Sequence, residues 1–389
     1  KLIADGTLTQ DQARKIEAGS RQAMVELAIH AILMFGILAA TGGLIFWLGT
    51  PLSVALAGAV FLAGGYLVLT RTAGEFSMFG NAAALIGAGL LIGGATAELL
   101  DKYEAIAGPT LTPLGGMLAL GLAWLRMKYA RLAPFVFGAI LAMATAMHLT
   151  GIYTWMDIEA LQGWPVTLAH GYTAAVLIAL GWHLDVRLVT ALAIVPLAQM
   201  LDTGTFYSHA MYAFYSPEST LTIAQMVIVV ALSIWIAGQV EPRHRRHAMI
   251  LAMMAFVVAN LSALVGSLWG DVVGQTLWVG NGPGREQTWD DFRATQEAFA
   301  ASAWTISEHT YSVIWALALV SLIAWSALTN RRGLFNASMT FAGIHAYTQL
   351  FESYADEPLA YVVGGLSAIP AAWGVWKANQ MLIARQGQV

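Results

Sequence analysis

Apolar runs divided by short polar punctuation recur twelve times along the chain, at about residues 28–49, 51–70, 78–99, 110–125, 132–149, 165–182, 188–203, 220–240, 248–269, 305–328, 334–351 and 359–378. A helix needs roughly 20 residues to cross about 30 Å of hydrocarbon, so each run is predicted to be a membrane span, with 110–125 and 188–203 the shortest. The first run follows a polar, charged leader and is full length, which marks it as a span and not as a cleaved signal peptide. The expected fold is an all-α polytopic transmembrane helix bundle of about twelve spans. It divides into a cytosolic amphipathic helix over 1–26, a transmembrane domain over 27–378 with an outer loop at 270–304, and a cytosolic tail over 379–389.

Charge gives this layout a direction. Lys and Arg collect in cytosolic loops, and with the N-terminus inside, sixteen of the nineteen basic residues fall there; only Lys102, Arg285 and Arg293 fall outside. A miscounted span in mid-chain would move every later loop to the other side, so both termini are expected in the cytosol. Acidic residues show the opposite tendency, with Asp202, Glu218, Asp271, Asp290 and Asp291 among those in or beside outer loops. That gives the outer face a negative field that concentrates cations, or serves only to solvate the loops.

Composition narrows the function classes. Hydrophobic residues make up 58% of the chain and Asp, Glu, Lys and Arg only 11%, against about a quarter charged in a soluble domain. A water-soluble enzyme, a disordered scaffold and a nucleic-acid binder are excluded, and the lipid bilayer is the first partner. No cysteine is present, which removes disulfides, thiolate metal sites and cysteine nucleophiles.

The leader carries its own start signal: Thr9 caps a helix while Gln12 reaches back, a capping box, and Gly19 and Ser20 are expected to interrupt that helix before the first span. The leader "ADGTLTQDQARKIEA", the Gly/Ala-rich spans and the closing stretch "HAYTQLFESYADEPLAYVVGGLSAIPAAWGVWK" resemble a family of uncharacterised bacterial polytopic membrane proteins, in which a cytosolic Gly-x-Leu-Thr-x-x-Gln-Ala segment precedes the membrane domain. The resemblance implies a bacterial inner membrane and brings no chemistry, catalytic residue or cofactor with it.

Lipid tails offer helices no hydrophobic drive to associate, so close packing relies on small residues. Gly80 and Ala84, then Gly89 and Gly93, mark the third span as a central helix; Gly36, Ala40 and Gly43 on the first span and Gly364, Gly365 and Ala368 on the last repeat the pattern. Trp and Tyr gather near the predicted boundaries, where half-polar rings suit the interface.

Chemistry is expected where ionisable groups enter spans, because these are expensive to bury and face the bundle interior or a wet cavity. Thr305, Glu308, His309 and Ser312 form one stripe, His345, Gln349 and Glu352 a second, Gln199 and Asp202 a third, Thr167, His170 and Thr173 a fourth, and Thr145 and His148 a fifth. All five lie in the outer half of their spans. They predict an outward-facing polar vestibule that binds a substrate or ion through His148, His170, Asp202, Glu308, His309, His345, Gln349 and Glu352. Imidazole titrates near neutral pH, so such a set suits proton-linked transport or cation binding; the competing reading is that each His only donates a hydrogen bond to a neighbouring helix. No His-x-x-x-His or His-Glu-x-x-His spacing occurs, so a local metal site is not expected.

In the outer loop Thr288 can cap a short helix with Asp291, placing Trp289, Phe292, Gln296 and Phe299 on one side as a surface helix or lid. Arg285 and Arg293 are weaker candidates for an anion, against pairing with neighbouring carboxylates. The layout is also similar to that of glycan ligases that join lipid-linked sugars, and by that analogy Arg285, Arg293 and His309 would handle a diphosphate. The chain is therefore expected to move or sense a cation or proton-linked small solute, and not to be an enzyme. The alternatives are a non-catalytic subunit contacting a partner membrane protein or a second copy, and, third, a periplasmic-face glycan or lipid transferase.

Overall fold

Nearly all the apolar runs form helices in the computed structural model. It describes residues 9–71, 77–128, 134–201, 203–208, 213–280, 282–283 and 287–354, together with 357–359, 362–363, 365–366, 369–370, 372–373 and 376–377. The chain forms two compact units, Lys1–Glu159 and Ala160–Val389.

The first unit comprises α1 (Gln10–Leu48), α2 (Pro51–Arg71), α3 (Ser77–Lys102), α4 (Glu104–Lys128) and α5 (Pro134–Ile158). Thr9 and Gln12 close the expected capping box. α1 then runs unbroken through Gly19 and Ser20 into the apolar segment. A single interior glycine costs only about 1 kcal/mol, too little to stop a long helix.

α2 and α3 pack through glycines seven residues apart. A Cβ on Gly58 would stand 2.3 Å from Leu91 N, one on Gly65 2.5 Å from Ala84 N, one on Gly87 2.2 Å from Leu62 N and one on Gly94 2.6 Å from Ala55 N. The backbones therefore touch, and the seven-residue period keeps the contact on one seam along both helices. Gly89 and Gly93 lie elsewhere: a Cβ on Gly89 would meet only Met143, and one on Gly93 nothing within 4 Å. α4 and α5 approach as closely at Gly108 against Trp155, Gly115 against His148 and Gly151 against Thr112.

The second unit begins with α6 (Trp164–Leu184), α7 (Arg187–Leu192) and α8 (Ile194–Gln199), then a hairpin of β1 (Phe206–Ser208) and β2 (Ala213–Tyr215). α9 (Ser219–Gln239) and α10 (Pro242–Trp269) follow. Next come β3 (Asp271–Val272), α11 (Gln275–Trp278), α12 (Trp289–Ala300), β4 (Thr305–Ile306), α13 (Glu308–Leu328) and α14 (Arg332–Tyr354). α10 is the hub, packing against α6, α7, α8, α9, α13 and α14. Ala193, Met226 and Ala255 are sealed at its contact with α8 and α9. β3 pairs with β4, Asp271 opposite Ile306, and so joins the end of α10 to the start of α13.

The run expected to span at 188–203 is a broken helix. Its two pieces meet at Ala193 and together cover Arg187–Gln199, about 20 Å at 1.5 Å per residue, less than the hydrocarbon thickness. Among the described residues eight helices are long and apolar enough to cross a bilayer: α2, α3, α4, α5, α6, α9, α10 and α13. Between 22% and 44% of each is buried inside the protein, so most of each apolar surface faces outward. This is an integral membrane protein.

The α2–α3 seam yields a prediction. Gly87→Ala must push backbone from backbone and is expected to destabilise by roughly 1–3 kcal/mol, whereas Gly93→Ala, with open space around it, is expected to be neutral. Thermal unfolding of the two purified variants in detergent checks the contrast.

Candidate functional site

Polar groups concentrate in the second unit at the end where α9 and α13 begin and α10 finishes. Glu218, 2% exposed, precedes α9 and reaches the segment after α10, where its two carboxylate oxygens accept the backbone N–H groups of Gly274 and Thr276, each at 2.7 Å. Asp271, 8% exposed, follows Gly270, whose φ of +69° is a turn that favours glycine. Its Oδ2 accepts the N–H of Thr220 at 2.7 Å and the hydroxyl of Tyr311 at 3.0 Å. Thr220 and Tyr311 also share a hydrogen bond of 2.5 Å through their hydroxyls. Asp271 thus caps α9 from α10 and ties both to α13. Its second oxygen, Oδ1, is buried and has no partner among the described residues. Beside this cluster Thr205, Ser216 and Thr222 hold one another through their hydroxyls, and Thr203 donates to the carbonyl of Ala198 at 2.5 Å. These bonds satisfy polar groups where the broken α7–α8 segment leaves regular structure.

A polar seam runs from the same end between α13 and α14. Glu308 and His309 open α13 and are exposed, 3.9 Å apart at Oε1 and Nε2. His345 on α14 is half-buried and meets the Trp315 ring edge to face, 4.7 Å between centroids, about 10 Å along α13 from Glu308. The Trp315 indole N–H donates to Asn260 Oδ1 of α10 at 2.9 Å, which fixes the ring. Among the described residues four buried atoms of these helices have no protein partner: His345 Nδ1, Ser312 Oγ, Ser262 Oγ and Ser338 Oγ. Gln349 is half-buried one turn beyond His345.

The remaining sequence-derived candidates are placed as follows. His170 is buried on α6. His148, in the first unit, has Nδ1 2.7 Å from the carbonyl oxygen of Thr112. Asp202, Arg285 and the side chain of Glu352 lie outside the described residues. Arg293 is exposed, 3.9 Å from Asp290. Thr288 and Asp291 form the expected capping box on α12, and these hydrogen bonds hold the Asp291 carboxyl below its ordinary value. Among the described residues no group of three His, Cys, Asp or Glu could hold a metal ion. In the first unit an open groove of about 330 Å³ between α1, α2 and α3 is lined by Thr41, Ile45, Val54, Gly89 and Gly93 and offers almost no polar chemistry.

Sequence reading did not single out Glu218, Asp271 or Tyr311 as site residues, since the two acids read as loop charges and Tyr311 as one aromatic among many. Nor did it find the latch at the opposite end of the second unit. There His247, fully buried, lies with Nε2 3.0 Å from Asp185 Oδ1 and Nδ1 2.7 Å from Thr190 Oγ1. A single tautomer, donating to Asp185 and accepting from Thr190, satisfies both contacts. Arg243 adds an ion pair to Asp185 at 3.2 Å. The one available signal was His247 standing last in a basic run, four residues from Arg243.

Comparison of the chain with protein-family models, with curated proteins and with solved structures finds no match.

The latch carries a pH prediction. The hydrogen bond from His247, helped by the charge of Arg243, holds the Asp185 carboxyl below its ordinary value of 3.8. A lowered folded value contributes stability that is present above 3.8 and is lost as pH falls through the depressed value. The melting midpoint of the purified protein is therefore expected to fall more steeply on acidification from about pH 6 to about pH 3 in the parent than in Asp185→Asn.

Proposed function

We propose that the protein moves or senses a proton-linked small solute or cation through an outward-facing polar vestibule in its second unit. The observation that carries this reading is His345: an imidazole nitrogen buried between membrane helices with no protein partner, beside the equally unpartnered Ser312. In hydrocarbon such groups are retained where they line a hydrated path or meet a ligand. Exposed Glu308 and His309 stand at the head of the same helix and would form the mouth, with His170, Asp202, Gln349 and Glu352 as further candidates for the lining; His148 belongs to the first unit, where its Nδ1 meets the carbonyl of Thr112. The interrupted α7–α8 segment supports the reading, because broken helices at membrane depth occur around binding sites. The distribution of Lys and Arg supports an outward position for this end, which for a bacterial inner-membrane protein would be the periplasmic face.

A second reading, a subunit packed against a partner membrane protein or another copy, is favoured by α1: a Cβ added at Gly36, Gly42 or Gly43 would meet nothing within 4 Å, leaving a small-residue face free for another helix.

Liposomes holding a pH dye and the reconstituted full chain test the first reading. An imposed cation gradient is expected to drive proton movement in the parent, and His345→Gln to lose most of it while keeping the parent's melting midpoint. A parent rate equal to that of empty liposomes overturns the proposal.

A further inference from the structure

Glu218 and Asp271 are two carboxylates withdrawn from water, and among the described residues neither forms an ion pair with Lys, Arg or His. Burying an ionised carboxylate is costly unless its charge is met. Backbone N–H groups engage both oxygens of Glu218, and the α9 N-terminus and Tyr311 engage Oδ2 of Asp271. Oδ1 of Asp271 is left buried with lone pairs and no donor. The hydroxyl of Tyr311 and the N–H of Thr220 hold the other oxygen of the same carboxylate, and Ser267, buried in the last turn of α10, gives its hydroxyl to the carbonyl of Leu264. That turn ends just before Asp271 and presents the negative end of the helix dipole.

We propose that Asp271 Oδ1 anchors a bound monovalent cation of the sodium class at this end of the second unit. A hard cation takes oxygen ligands, and a buried carboxylate oxygen is the group left open here, while an ammonium or guanidinium group would be expected as a protein partner and none is present among the described residues. A single carboxylate oxygen is uncommitted, and no third acidic group or histidine joins the set. A divalent ion, which draws on several charged oxygens, is therefore disfavoured against a monovalent one. The ion would neutralise the buried acid and brace the junction of α9, α10 and α13, where Asp271 already joins three helices. This inference concerns binding at equilibrium and holds whether or not the α13–α14 seam moves a solute.

The test uses the purified full chain, with sodium alone as the probe, titrated against choline and against potassium at constant ionic strength. Sodium is expected to raise the melting midpoint by roughly 2–4 °C in a saturating manner, with choline giving no rise and potassium a smaller one. Asp271→Asn is expected to abolish the sodium response. Tyr311→Phe, which keeps the ring, is expected to shift the response to higher sodium, and it serves where Asp271→Asn fails to fold. A parent midpoint that is the same in sodium and choline, or a full response in Asp271→Asn, overturns the proposal. Absence of proton flux in liposomes leaves this result unaffected, so the two readings fail separately.

Discussion

Within hydrocarbon no water is at hand to meet an N–H, a carbonyl or a side-chain oxygen, and each group left over costs free energy. The two units answer this constraint differently. The first brings helix against helix through glycine, with backbones touching at Gly58, Gly65, Gly87 and Gly94 and His148 closed onto a carbonyl. The second places acids, hydroxyls and imidazoles between its helices, satisfies many through Asp271, Glu218, Asn260 and His247, and leaves a few without protein partners. Those few are where water, a proton or an ion has reason to enter.

The two ends of the second unit are built to different standards. Around His247 both ring nitrogens have partners and the side chain is fully enclosed, so the α6–α7 turn is locked onto the start of α10. At the other end the chain makes a small hairpin between α8 and α9, and two short helices with a two-stranded bridge between α10 and α13. Irregular backbone of this kind needs side chains to satisfy it, and Thr203, Thr222 and Glu218 do so, while Thr205 and Ser216 join Thr222 hydroxyl to hydroxyl. The polar content there is thus partly structural; Asp271 Oδ1, Ser312 Oγ and His345 Nδ1 are the atoms at this end left without a partner among the described residues that the proposals take up.

Much of the architecture was legible because hydrophobic run length is a direct consequence of bilayer thickness: α2, α3, α6, α9 and α13 follow the apolar runs closely, α5 and α10 extend well beyond theirs, to Ile158 and back to Pro242, and the caps at Thr9 and Thr288 follow local rules. The glycine seam was half legible. Spacing of four drew attention to Gly89 and Gly93, whereas the helices meet at a period of seven, on Gly80, Gly87 and Gly94, because an antiparallel partner selects the face and sequence spacing alone cannot. The break at Ala193 has its signal in Pro196, which offers no N–H to the carbonyl of Leu192 and interrupts the helix one turn earlier, but apolar run length alone passed over it. Asp271 and Glu218 were hidden differently: an acid beside a predicted loop looks solvated, and only the tertiary fold of residues 270–307 over the helix ends reveals their burial. His345 was visible as a charge-bearing position inside a span, while its pairing with Trp315 was not.

The central claim is that the α13–α14 seam admits water from the loop-rich end. The chain has no cysteine, so one introduced at Ser312 reports accessibility without background. The account predicts that Ser312→Cys reacts rapidly in membranes with a small hydrophilic thiol reagent while Leu319→Cys, sealed two turns deeper at 1% exposure, does not. Equal protection at both positions would contradict it.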